Sequence, residues 1–449
     1  MSATDRTQPP PAAAVRPFRF PDVGRLHLDN GLSLFRAPHG HVPIATARIV
    51  LDAGVTREPP ELAGVAHLVA HTIDTGTRIK DARQLSWELE SMGAQLEVAT
   101  GFDATSVSVT VPAERLPAAL TLLAEIVVDA CFPEDEVERA RNEQLGEIAQ
   151  RRSDPRSLAS DEAMRFIYGP DATYGRTPLG SADAVERLTV GDVRAFYHDR
   201  YSPRSAALLL VGQLQDTVAQ RFTDWHLEPA PARGVTLPAA DAVQAVHIVH
   251  RPGSVQSEIR IGHAGPTRAD PDYFPLQVMN SILGGAFTSR LNMNLREKHG
   301  FTYGVRSSFS FRRGHGPFMI ATAVASDVTA RAIGEILAEI EALRVTGPTD
   351  EEIVNTRDYL TGLMPLELQT THQLAGKLSE LFIHTLPDDY FRTYRDRIAA
   401  VSREDALRAA QQHIRPAGLT FLVVGDADQI EAPLRDLSIA PIEVHAADE

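Results

Sequence analysis

Three residues in the first half of this chain recur at one fixed offset in the second. Asp192 and Asp405, Pro203 and Pro416, and Gly212 and Gly425 are each 213 positions apart. The surrounding sequence matches too. Thr189-Val-Gly-Asp192 leads through Tyr201-Ser-Pro203 into the apolar run from Ala206 to Val211, and Ser402-Arg-Glu-Asp405 leads through Ile414-Arg-Pro416 into the run from Leu419 to Val424. Each copy reads as a capped helix, a proline-marked turn and a buried strand, because the apolar run is short and continuous rather than alternating. A second echo is Leu123-Ala-Glu-Ile126 against Leu337-Ala-Glu-Ile340, each followed by a proline and an acidic helix start at Pro133 and Pro348. Amphipathic helices resemble one another, so this echo adds weight only beside the first.

A duplication of this length divides the chain into two like halves, about residues 18–225 and 246–449. The Pro- and Ala-rich residues 226–245 then read as an exposed linker, and residues 1–17 as a disordered tail. Within the first half, strands at 32–35, 45–51 and 105–111 are mixed with helices without strict alternation. The expected class is therefore α+β: two homologous mixed α/β sandwich domains, mostly antiparallel sheet with helices.

Charge and cysteine content narrow the function. The formal net charge is -15, from 44 basic against 59 acidic side chains, with no basic patch, which argues against nucleic acid and anionic membrane as partners. No apolar run approaches the roughly 18 residues of a membrane span. Cys131 is the only cysteine, so neither an intrachain disulfide nor a cysteine metal cage is possible. The N-terminal stretch lacks the pattern of a secretory signal, and the expected compartment is the cytoplasm.

In Gly64-Val-Ala-His67-Leu-Val-Ala70-His71, two histidines stand four apart in a helix-compatible stretch. Both imidazoles then project from one face and can grip a single zinc ion. The spacing also occurs on ordinary helix surfaces. What lifts it is its context, since G-V-A-H-L-V-A-H-T-I-D-T-G-T resembles the G-x-A-H-x-x-E-H-M-x-F-x-G-T box of the inverzincin zinc peptidases, the group of pitrilysin, insulin-degrading enzyme and the mitochondrial processing peptidase. Further segments are similar to that family: Tyr174-Gly-Arg-Thr-Pro-Leu-Gly180, Leu283-Gly-Gly-Ala-Phe-Thr-Ser-Arg290, and Leu295-Arg296-Glu-Lys-His-Gly300-Phe-Thr-Tyr303.

The resemblance implies half of a clamshell chamber and one Zn2+ per chain, held by His67, His71 and Glu147. Glu147 lies 76 positions past His71, where the family carries its third ligand. It also implies that Arg296 and Tyr303 hold the substrate backbone: a guanidinium pairs with peptide carbonyls, and a phenol can donate to a developing oxyanion. Residues around Glu97 and Val98 would form the substrate-binding edge strand.

The chain departs from the family where it matters most. The glutamate between the histidines, which serves the family as general base, is Ala70 here, and a methyl group cannot shuttle a proton. Asp74 stands where the family has phenylalanine, and acidic Glu97 replaces a compact amide; the three departures are expected to cluster at one site. Asp74 is a poor substitute base if the Thr-Gly-Thr segment ends the helix. The first reading is an impaired or non-hydrolytic subunit that binds peptide and completes the site of a related H-x-x-E-H chain, as a homodimer or heterodimer. A second is an active homodimeric zinc endopeptidase whose native residue 70 is glutamate, replaced here on purpose. A third is a metal-free peptide-binding or assembly scaffold.

Overall fold

The computed structural model describes residues 18–40, 42–214, 220–231 and 244–446. Its twelve strands form two six-stranded sheets. The first holds β1 (Gly24–His27), β2 (Ser33–Pro38), β3 (Ile44–Leu51), β4 (Gln95–Thr100), β5 (Thr105–Pro112) and β6 (Ala206–Gly212), in the order β1-β2-β6-β3-β5-β4. The second holds β7 (Val246–His250), β8 (Gln256–Ala264), β9 (Val305–Phe309), β10 (Pro317–Ala325), β11 (Thr420–Gly425) and β12 (Ile442–Ala446), in the order β12-β7-β11-β8-β10-β9. Both are mixed: β2 runs parallel to β6, and β7 parallel to β11 and β12, while the other pairs are antiparallel. The fold is α+β, with two homologous halves.

The 213-residue offset holds across the architecture. Shifted by it, Thr105–Pro112 falls on residues 318–325, within the observed Pro317–Ala325, and the helix Val190–Arg200 falls on the helix Arg403–His413. Both of these helices start with the same reciprocal cap. Thr189 Oγ1 accepts from Asp192 N while Asp192 accepts from Thr189 N, and Ser402 and Asp405 repeat the pair. At one end of each sheet the outer strands are not duplicated, since β1 joins as an antiparallel hairpin and β12 arrives in parallel from the far C-terminus; at the other end β4 and β9 are alike, each antiparallel to the strand that follows it.

The central strands carry continuous apolar runs because both their faces are covered. In β6 all seven residues are buried. One face of the first sheet packs on helices of its own half. Against the other lies the helix Thr371–Ile383 from the second half, while the helix Pro155–Tyr168 from the first half lies on β8 and β11. The halves have exchanged equivalent helices. One apolar core accordingly runs through both, joining Phe35, Val50 and Leu209 of the first sheet with Leu374, Ala375 and Leu378 of the incoming helix. Polar contacts repeat the exchange: Arg48 Nη2 lies 3.0 Å from His372 Nε2, and Arg260 Nη2 donates to Arg156 O at 3.0 Å. These arginines occupy equivalent register positions, opposite Leu209 and Leu422.

One expectation needs adjustment. The linker was expected to be exposed, yet Pro229 and Ala230 are half-buried, with Ala230 O and Pro231 O accepting from Arg200 Nη1 at 3.1 and 3.2 Å. A guanidinium finds its acceptors in backbone carbonyls there. Residues 232–243 of the linker and residues 1–17 lie outside the described residues.

Candidate active site

The helix Val65–Thr72 presents the two histidines of the box. Its first turn is fixed by three contacts that local sequence patterns do not announce. Glu58 Oε1 accepts from Gly64 N and Ala66 N at 3.1 and 2.8 Å. Gln144 Nε2, from the long helix Glu134–Ser153, donates to Gly64 O and Leu179 O at 3.1 and 2.7 Å. Gly64 itself has φ +99, and a Cβ there would stand 2.5 Å from Leu179 O, so glycine is required. The Tyr174–Gly180 segment thus closes against the start of the site helix. Burial of Glu58 pushes its carboxyl up to about 7, against the opposing pull of its two backbone donors and of Arg176.

His67 and His71 stack with ring centroids 4.0 Å apart, on one helix face as i, i+4 geometry requires. Burial, with a smaller contribution from His71, lowers His67 to about 4, so the imidazole is neutral at neutral pH, the form that ligates metal. The helix stops at Thr72, where Thr72 Oγ1 bonds back to Leu68 O at 2.6 Å and Thr75 Oγ1 to Thr72 O at 2.8 Å. Thr77 Oγ1 then donates to the buried carboxylate of Glu125 at 2.8 Å, which anchors the Thr-Gly-Thr segment.

A cleft of about 720 Å³ opens beside the histidines, lined by Ala70, His71, Asp74, Leu96, Val98, Glu136 and Arg139 among others. Ala70 is 1% exposed and lines the cleft beside His71 with a methyl group. Asp74 sits one turn on, its carboxyl raised above the usual range chiefly by burial, with His71 and Arg139 opposing the rise and Glu136 adding to it. The outer edge of β4, unpaired among the described residues, forms one rim.

Not every candidate residue gathers here. Glu147 is exposed on the helix Glu134–Ser153, which packs against the site helix. Its carboxylate and the two imidazoles are not among the groups whose ligand atoms all fall within 4.8 Å of one another. Nor do the three departures cluster as expected. Ala70 and Asp74 share the cleft, but strand alternation turns Glu97 to the other face of β4, where its Oε2 lies 3.5 Å from His372 Nε2 in a separate cavity of about 920 Å³. Val98, on the opposite parity, does line the cleft.

Neither Arg296 nor Tyr303 borders this cleft. Arg296 lies over the ring of Phe287, Cζ to centroid 4.5 Å, and beside Glu297. Tyr303 is 97% exposed and edges a second cleft of about 750 Å³ between the halves, with Arg176, Arg260 and Arg306.

Residues 38–177 match the family model described as Insulinase (Peptidase family M16), and residues 187–360 match the one described as Peptidase M16 inactive domain. This chain belongs to the M16 peptidase family. Among its relatives, an uncharacterized zinc protease of Streptomyces coelicolor is 26% identical over 92% of this chain and 90% of its own length. Another, from Bacillus subtilis, is 23% identical over 79% of this chain and 87% of its own. In three dimensions the M16 chain is similar to a peptidase M16 inactive domain from Pseudomonas fluorescens, with TM-score 0.84, 25% identity, and coverage of 90% of this chain and 98% of that one. A protease from Helicobacter pylori shares the fold at TM-score 0.83 and 19% identity, covering 90% and 99%. Among the described residues no helix is long and apolar enough to cross a membrane.

Glu58, Gln144, Glu136 and Arg139 are the site residues that sequence reasoning missed. Gln144 is three positions before Glu147, which gave a helical-spacing signal of sorts. Glu58 gave none, because a carboxylate six residues ahead of the helix's N-cap Gly64 matches no local capping pattern.

Proposed function

We propose that this M16 chain is a peptide-binding subunit with absent or strongly impaired hydrolysis, which completes the active site of a partner chain carrying the full H-x-x-E-H box. The observation that carries this reading is Ala70: a buried methyl group stands in the wall of the cleft beside His71, at the sequence position where the H-x-x-E-H box carries its general base. Zinc fits the site as far as the histidines go, since the two imidazoles share one helix face and burial keeps His67 neutral. Glu147, an exposed side chain on the adjoining helix, would supply the third ligand after rotating about its side-chain torsions. A bound zinc would supply Lewis acidity. His67, His71 and Glu147 would hold it, and the outer edge of β4 would take an extended peptide as an added strand, with Val98 on the cleft side.

Arg296 and Tyr303 support a role in trans. Both stand away from this chain's own cleft, and a phenol 97% exposed is open to another chain. The assembly is a homodimer or a heterodimer with a related subunit, and the compartment is the cytoplasm.

Ala70→Glu tests the reading. Wild type should leave short unfolded peptides uncut. Restored, chelator-sensitive cleavage in the variant would place the whole defect at residue 70. Cleavage by the unaltered chain at ordinary enzyme rates would sink the proposal and point to Asp74 as the base, since its raised carboxyl lines the same cleft.

A further inference from the structure

Phe166, on the helix that crosses from the first half to the second sheet, lies flat on His247 of β7, with centroids 3.8 Å apart and planes at 10°. The same ring is 5.0 Å from His445 of β12. His247 and Glu443 are register partners across the parallel β7 and β12 pair, and His445 follows Glu443 by two, so alternation puts all three side chains on one face.

Their donor atoms converge. His247 Nδ1 is 3.1 Å from His445 Nε2 and 3.3 Å from Glu443 Oε2, and the last two atoms are 3.8 Å apart. Ligands bound at about 2.0–2.2 Å to one tetrahedral ion stand about 3.3–3.6 Å from each other. The observed separations bracket that spacing with no side chain moved. Among the described residues, two further groups of His and carboxylate side chains bring ligand atoms within 4.8 Å of one another, His250 with Asp426 and Asp428, and Asp270 and Asp272 with His413. In the first, His250 Nδ1 already accepts from Ala427 N; in the second, Arg408 Nη1 already occupies Asp272.

We propose that His247, Glu443 and His445 form a second metal site, independent of the His67 and His71 pair, for a divalent transition ion of the zinc class. Two imidazoles and one carboxylate suit zinc, cobalt, nickel or copper rather than calcium or magnesium. Glu443 is 57% exposed, which leaves the ion a route from solvent and room for water to complete its coordination. The consequence is structural. Among the described residues β12 is an outermost strand bonded in the sheet to β7 alone, and the ion ties it to β7 beneath the Phe166 ring.

The test uses the full chain with His67→Ala and His71→Ala, stripped by chelator, so that the candidate active-site pair does not contribute. Zinc titration should show one ion per chain, and Co2+ should give visible absorption bands of an imidazole-bound ion. Adding His247→Ala or His445→Ala should weaken binding at least 100-fold and abolish the bands. Glu443→Gln changes an exposed side chain, keeps the fold, and should weaken binding at least 10-fold. The proposal fails if the His67 and His71 variant binds no stoichiometric ion, or if binding survives loss of His445. The reciprocal chain, with His67 and His71 intact and His247→Ala, reports on the active-site pair alone, so each site stands or falls separately.

Discussion

Replacing Glu58 with glutamine should alter how stability depends on pH. The carboxyl is buried, caps the first turn of the site helix through Gly64 N and Ala66 N, and titrates at about 7 instead of its ordinary 4.5. The folded chain therefore binds this proton more tightly than the unfolded chain does. The stabilisation is complete below about pH 4.5 and is lost as pH rises through about 7. A rise of about 2.5 units at about 1.4 kcal/mol each amounts to about 3 kcal/mol over that window. Glutamine keeps an acceptor for both amides and removes the titration; any cost of its new NH2 group shifts the curve without changing its slope. Urea unfolding of both proteins at pH 4.5, 6, 7 and 8 gives the difference directly. Relative to Glu58→Gln, wild type should lose about 3 kcal/mol between the ends of the series. A difference constant across the series would show that the two amide bonds and Arg176 outweigh burial, and the reasoning would be refuted.

Gly64→Ala forces an alanine to φ +99 and drives its Cβ against Leu179 O and Gln144 Nε2. The left-handed backbone and weakened Gln144 bonds together should cost about 2–4 kcal/mol, read from the urea midpoint. Leu378→Ala opens a hole where the exchanged helix meets the first sheet; it should cost about 2–5 kcal/mol and lower the thermal transition of both halves together. Unfolding of the second half alone would show that the exchange does not couple them. If Tyr303 donates to a partner's oxyanion, Tyr303→Phe should cut the partner's rate by about 10²-fold while leaving this exposed position's effect on stability near zero.

Much of this protein was legible along the chain. The 213-residue offset announced two like halves, since a capped helix, a proline turn and a buried strand are local patterns that survive duplication. The box from Gly64 to Thr77 was legible for the same reason: i, i+4 spacing on a helix decides that His67 and His71 share a face, and Ala70 declares its lack of a base without any fold. What tertiary structure alone decided is which surfaces meet. A repeat says that the helices Pro155–Tyr168 and Thr371–Ile383 are alike, but nothing local says that each covers the other half's sheet, because that choice depends on closing apolar faces hundreds of residues apart. The parity of β4 is readable, yet whether Glu97 or Val98 looks into the cleft depends on which side the site helix packs. The same holds for Glu58 and for His247, Glu443 and His445, whose partners are neighbours only once distant strands and helices are in place.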